Sequence, residues 1–235
     1  MPIRRRFVVL ANSHKNIPGR CLAGRLLEDN DRPGAWIRPV SNRPGGEVLS
    51  EHVLTPGGAA FDLLHVVRVP LDRHIASRTH PEDWLIAAGE PWRLERRLHP
   101  YELERFVEEP ANLWLDASQP DDMVSSEALI GGGGHQTLYL IRPEGFAYEL
   151  STIAVAGSDR PRRQRLARFS YRDREYTFAV TDPAFLHRYQ HTFPKLGEPA
   201  AVLQPQRSDG LLLCVSLTPA MEGVHQKLVA AVIED

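Results

Sequence analysis

The chain has 235 residues, with 28 Lys plus Arg against 30 Asp plus Glu and a formal net charge of −2. Its 42% hydrophobic and 25% charged content suits a soluble globular protein with one large core or two modest ones. No apolar run approaches ~18 residues, which excludes a membrane-spanning helix, and Cys21 and Cys214 are too few and too far apart for a disulfide framework. The N-terminus, MPIRRRFVVLANS, is basic and then briefly apolar, without the apolar length or cleavage site of a signal peptide. A cytoplasmic location is the expectation. The 19 Pro and 17 Gly favour many turns over long helices.

In chain order, residues 7–11 (FVVLA) and 20–27 read as strands around a turn at 12–19 rich in Asn, Ser, Pro and Gly. A further turn at 29–34 leads to a strand at 35–40, which 42–46 breaks. The apolar run 61–69 ends at Pro70. This spacing fits a small all-β barrel better than alternating β and α units. Residues 100–108 (PYELERFVE) read as a short helix with Pro at its first position. Residues 112–115 are a candidate strand. Residues 117–136 read as a polar loop ending in Gly131–Gly134, a flexible connector that lacks the GK[ST] of a phosphate loop. Strands are expected again at 137–141 and 146–153, and a hairpin at 163–171 and 175–180 closed by 172–174. Thr181-Asp182-Pro183 reads as a helix start, with the helix running to about His191. Strands at 211–217 and 227–233 close the chain. Ile37-Arg38-Pro39 and Ile141-Arg142-Pro143 form a faint internal echo.

Charge is unevenly spread. Residues 1–25 hold Arg4, Arg5, Arg6, Lys15, Arg20 and Arg25 and no carboxylate. Residues 160–174 hold seven arginines against Asp173 alone, whereas residues 82–127 hold twelve carboxylates against four arginines. If the two basic segments meet, they form a positive surface suited to phosphates.

Three sets of residues resemble a known family. The most specific runs from Leu10-Ala-Asn-Ser-His-Lys15 through Pro18-Gly-Arg-Cys-Leu-Ala-Gly24 to Ala35-Trp-Ile-Arg-Pro-Val-Ser41. The others are His80-Pro-Glu-Asp83 with Asn112-Leu-Trp114, and, in the second half, Tyr139-Leu-Ile-Arg-Pro143, Ala167-Arg-Phe169, Val180-Thr-Asp-Pro183 and Cys214-Val-Ser-Leu217 with Lys227-Leu-Val-Ala-Ala231. Over essentially its whole length the chain resembles the dual OB-fold domain family, tandem oligonucleotide-binding folds in bacterial proteins, some linked to defence against phage and mobile elements. The resemblance implies a mainly β fold of two tandem OB-like β-barrels with a short helical or loop region between them; a boundary at the Gly131–Gly134 run assigns residues 1–130 to the first barrel with its following helix and loop and 135–235 to the second. It also implies binding of nucleic acid or a nucleotide, with other proteins of a defence complex as further partners and no membrane.

The residues themselves suggest how such binding would work. Asn12, Ser13, Lys15 and Arg20 place hydrogen-bonding and cationic groups on one turn, where a phosphate or base edge is recognised. Trp36 and Arg38 share a strand face, an arrangement that stacks a base and holds its phosphate. Ser41, Arg142, Arg163, Arg165 and Lys227 complete the expected binding set, and Phe169 and Tyr171 interleave with the arginines of their strand. His187 and His191 have helical i, i+4 spacing, but neither HExxH nor a third ligand accompanies them, so no metal and no cofactor are expected. Two alternatives stand beside the binding module. His80, Glu82 and Asp83 could serve a metal-assisted phosphodiesterase or other nucleotide-processing enzyme. The acidic segment 82–127 could instead be the contact of a protein-interaction subunit.

Overall fold

The apolar run at 7–11 lies in β1 (Ile3–Asn16), a strand buried on both faces, which is why it shows no alternation. The computed structural model describes residues 2–16, 19–43, 45–49, 61–75, 77–132, 136–205 and 210–234; the side chains of 14–16 and 186 are outside it. β1 is followed by β2 (Gly19–Leu27), β3 (Pro33–Val40), β4 (His65–His74), β5 (Asp83–Ile86) and β6 (Arg93–Arg97). The strands run in the order β1-β2-β3-β5-β4, and β4 returns to pair with β1, which closes a five-stranded barrel. Its one parallel pair is β3 with β5. β1 closes the barrel because its two ends have different partners: Ile3–Val8 pairs with β4 and Phe7–Asn16 with β2.

The second half repeats this plan. β7 (Met123–Ser125), α1 (Ser126–Gly131), β8 (Leu138–Ile141), β9 (Glu144–Val155), β10 (Ser158–Tyr171), β11 (Arg174–Val180), α2 (Pro183–Tyr189), β12 (Ala201–Leu203), β13 (Leu212–Leu217) and β14 (Val224–Ile233) follow in turn. The sheet order is β12-β9-β10-β11-β14-β13-β8, again with one parallel pair, β11 with β14. β9, β10, β11, β14 and β13 thus stand where β1, β2, β3, β5 and β4 stand in the first barrel. The counterpart of β1 is split at Arg142-Pro143: β8 pairs with β13, and β9 with β10. Pro143 has no N–H to give a ladder, so the break falls there. The two tandem OB-like barrels expected from the sequence are present.

Three apolar clusters hold the halves together. One fills the first barrel around Phe7, Ile37, Phe61, Val67 and Trp92. One fills the second around Tyr148, Phe169, Phe178, Val215 and Val229. The third lies between them: Val8, Leu10, Trp36 and Phe106 meet Leu138, Leu140, Leu212, Cys214, Ala231 and Ile233. Phe7 and Val9 of β1 face into the barrel and Val8 and Leu10 face its neighbour; past the register shift between Val9 and Ala11, Ala11 joins the side that faces the neighbour. Leu213 and Leu212 divide in the same way on β13.

The middle of the chain departs from expectation. Residues 100–106 form a 3-10 helix, with a capping box between His99 and Glu102. Residues 112–115 are not a strand: Trp114 has φ +53° and its indole donates to the Gln136 carbonyl. The expected loop at 117–136 contains β7 and α1. Asp116 organises them by accepting from Ser118 and from the backbone and hydroxyl of Ser125, bonds that hold its carboxyl well below the ordinary range. Val124 and Leu129 then bury into the second cluster, as do Leu113 and Trp114. Gly131 ends α1 and Gly132 caps it, while Gly133 and Gly134 lie outside the described residues. α2 starts as expected, with Asp182 accepting from the N–H groups of Ala184 and Phe185. Among the described residues, no helix is long and apolar enough to cross a membrane.

Candidate functional site

A cleft of about 880 Å³ opens between the barrels. On the first barrel it is walled by Ala11 and Ser13 of β1, Cys21, Leu22 and Ala23 of β2, and Arg38 of β3. These side chains are mostly small, and Ser13 sits directly opposite Cys21 in the ladder, so the sheets stay apart here. The second barrel supplies residues 162–166 of β10, Ala179 and Val180 of β11 with Thr181 after it, Ser216 and Leu217 of β13, and Gln226, Leu228 and Ala230 of β14. Leu166, Ala179, Leu228 and Ser216 are directly paired across four strands and form its floor. In OB folds the face of the second and third strands and the loop between the fourth and fifth bind ligand. Here those are β10, β11 and residues 218–223, all at the cleft.

The arginines of β10 give the cleft its chemistry. Arg165 makes no hydrogen bond or ion pair among the described residues. Burial alone pulls its pKa below the ordinary arginine value, and no carboxylate raises it again. Arg162 is exposed and also without a partner among those residues. Arg163 donates to the Gln190 carbonyl at 3.5 Å, and its guanidinium lies 5.1 Å from the Phe193 ring centre. A half-buried guanidinium without a counter-charge favours an incoming anion, because its five donors are still free to bind oxygen.

A family model described as Dual OB-containing domain matches residues 5–232. The chain belongs to this family. No curated protein matches this dual OB-containing domain. A solved structure of a replication protein A heterotrimer bound to ssDNA is similar at 10% identity and a TM-score of 0.34. That likeness covers 98% of this chain and 49% of the other, so the chain spans about half the length of the structure it matches.

The dual OB-containing domain brings Ser13, Arg38, Arg163 and Arg165 to one cleft and sends the other expected residues elsewhere. Arg38 is committed to a bidentate bond with Asp83, at 2.6 and 2.8 Å. Burial pulls the Arg38 pKa down, but Asp83 and the nearby Glu82 outweigh it and hold it above the ordinary value. Arg38 is therefore a neutralised wall of the cleft and not a free phosphate ligand. Asn12 accepts from Arg20 at 3.1 Å and donates to the Phe61 carbonyl, and the pair lines a separate cavity of about 240 Å³. Lys15 falls in β1, but its side chain lies outside the described residues.

The expected stacking aromatics are core. Trp36 is 7% exposed and its indole donates to Glu108, while Phe169 and Tyr171 are buried in the second barrel. None of them presents a face to a base, and no aromatic residue is among those described as lining the cleft. Ser41 is held in a turn, donating to Glu47 and accepting from Arg43. Arg142 is paired with Glu104 outside the cleft. Lys227 is 2% exposed and donates to the Asp121 carbonyl at 2.9 Å. Burial lowers its pKa, with Asp121, Asp116 and Asp122 opposing.

His80, Glu82 and Asp83 do not converge on either cavity. Glu82 is buried and accepts from the Thr137 hydroxyl across the barrel junction. Burial pushes its pKa up against the pull of Arg38 and that bond. His80 is buried with its ring centre 5.7 Å from that of His225. The cluster joins the barrels. Among the described residues, no group of three or more His, Cys, Asp or Glu could hold a metal ion.

The two basic segments meet only in part. Half of the first is neutralised by the acidic segment: Arg4 pairs with Glu90, Arg6 with Glu95 and, outside that segment, with Asp31, and Arg25 with Glu108. The acidic segment is thus spent on internal partners, which leaves little of it to meet another protein. Arg162 belongs to the charge run noted in the sequence. Asp122, also at the cleft, belongs to the acidic segment; Glu222 had no sequence signal, because the turn that presents it (φ +52°) is set by the meeting of β13 and β14.

Proposed function

We propose that this domain is a non-catalytic module that binds nucleic acid, single-stranded DNA or RNA, or its nucleotide unit, in the cleft between the barrels. The observation behind this reading is Arg165, half-buried on the cleft wall with no counter-charge among the described residues. Arg162 and Arg163 beside it extend the positive wall to solvent. The hydroxyls of Ser13, Ser216 and Thr218 supply further hydrogen bonds. The floor is apolar but not aromatic, so affinity comes from phosphate contacts more than from ring stacking. A bacterial defence or nucleic-acid-processing setting, a cytoplasmic location and partner proteins of a defence complex belong to the same proposal. The family resemblance supports the defence setting and its partner proteins, and the two distant cysteines support the cytoplasmic location.

Equilibrium binding of labelled single-stranded DNA, single-stranded RNA and duplex at two salt concentrations tests the reading. The expected result is salt-sensitive binding of a single strand, lost or weakened at least tenfold in Arg165→Ala. The ligand should be recovered intact with magnesium or manganese. Equal binding by Arg165→Ala overturns the site, and degraded ligand overturns the non-catalytic reading.

A further inference from the structure

The cleft joins the corresponding strands of both barrels. β2 of the first and β10 of the second both wall it, so two surfaces that could lie end to end along a strand are turned onto one space. An OB fold used by itself covers about 4–16 nucleotides. Two such faces in line would cover more, and two folded onto one cleft cover less. Its floor, from Leu166 on β10 to Ser216 on β13, spans three strand spacings, roughly 14 Å.

Charge is divided across that floor. Arg162 and Arg165 stand on β10 at one edge, whereas Asp122 and Glu222 lie beside β14: the Asp122 carbonyl accepts from the Lys227 N–H, and Glu222 is in the turn that leads into the strand. Lys227 faces the Asp121–Asp122 segment from the buried side and does not line the cleft. A phosphate backbone crossing the whole floor would run from the arginines into two carboxylates. A base directed the same way would find acceptors for its exocyclic amino group, as a carboxylate accepts from cytosine.

Resting on the function proposed above, we propose that the site is short and polar: it takes one to about three nucleotide units. The phosphate lies on β10 and the base toward Asp122 and Glu222, so that a strand enters by its end. The ligand class is a nucleoside phosphate, either free or as the terminus of a single strand.

Oligodeoxycytidylates of one, two, three, six and twelve units, titrated against the whole chain at several salt concentrations, test this. Affinity is expected to level off by three units. The slope of log K against log salt should then stay near −1.4 to −2.1 from the trimer to the dodecamer, as two or three contacted phosphates give at about −0.7 each. A plateau at one unit identifies a free nucleotide as the ligand, and a plateau at two or three a strand end. In Asp122→Asn/Glu222→Gln the ratio of dodecamer to trimer affinity should rise at least threefold. Affinity and slope that keep growing to twelve units in the parent chain overturn the short site while leaving the binding function intact. Failure of every length to bind, or binding indifferent to Arg165→Ala, removes the function and this inference together.

Discussion

At the scale of single residues, the structure separates arginines that hold the fold from those free to bind. Arg38 belongs to the first kind. Its guanidinium fork meets both oxygens of Asp83, and its side chain and that of Asp83 are each only 16% exposed. Arg38→Ala leaves Asp83 and Glu82 partly buried without their cation, so a stability loss of about 3 kcal/mol is expected. A denaturant midpoint unchanged from the parent would refute it. Arg165→Ala removes a guanidinium with no ion-pair partner to orphan, so that midpoint should hardly move. Glu82 supplies a pH test. Its folded pKa is raised above the ordinary 4.5 by burial. The folded state therefore holds the proton more tightly than the unfolded one, and the contribution of Glu82 to stability falls as pH rises through the interval between the two values. Glu82→Gln keeps an acceptor for Thr137 and removes that slope. Melting curves from pH 4 to 8 should show the variant gaining on the parent as pH rises above about 4.5 and then levelling off. A constant gap would show that Glu82 does not titrate in this way.

At the scale of elements, much was legible because strands and caps are written locally. Alternation, turn residues and the Thr181-Asp182-Pro183 start each reflect neighbours in sequence, and β10, β11 and α2 formed where they pointed. What a strand's pattern does not contain is which face turns inward. Period-2 spacing puts Trp36 and Arg38 on one side, but only the approach of Glu108 and the second barrel decides that this side is buried. Likewise β7 and α1 take their order from Asp116 and from a core completed a hundred residues later. Gly24 has a sharper requirement. A Cβ there would lie 1.7 Å from the Val8 carbonyl oxygen, where β1 shifts register between Val9 and Ala11. Gly24→Ala should therefore prevent the β1–β2 ladder from forming, with no folded protein recovered at ambient temperature. A soluble variant with the parent's circular dichroism would show that β1 yields. Asp182→Ala should be milder, costing about 1–2 kcal/mol, because it loses a helix cap and also the acceptor for the Val232 N–H.

At the scale of the molecule, the two barrels were foreseeable and their joint was not. The sequence shows two sets of strands, but the contacts that cross between them, Glu82 with Thr137 and His80 with His225, link residues more than fifty positions apart, and no local pattern announces them. The same is true of the cleft, whose walls come from β1–β3 and from β10, β11, β13 and β14. The joint is apolar at its centre, where Val8, Leu10, Trp36 and Phe106 pack on Leu138, Leu140, Leu212, Cys214 and Ile233. A chain ending near residue 130 would expose the first group, and one beginning near 135 would expose the second and lose Leu113, Trp114, Val124 and Leu129 from its core. At roughly 25 cal/mol per Å² of apolar surface, half a dozen such side chains are worth about 10–15 kcal/mol, as much as the roughly 5–15 kcal/mol by which a domain of about a hundred residues is stable. The whole chain should therefore unfold in one transition. Its tryptophans report on both cores, since Trp92 lies in the first barrel's and Trp114 in the second's. Urea curves by tryptophan fluorescence and by far-ultraviolet circular dichroism should superimpose, and neither half made alone should give a cooperative transition. Two resolved transitions, or a half with a sharp one of its own, would mean that each barrel is stable without the other and that the cleft between them is free to open.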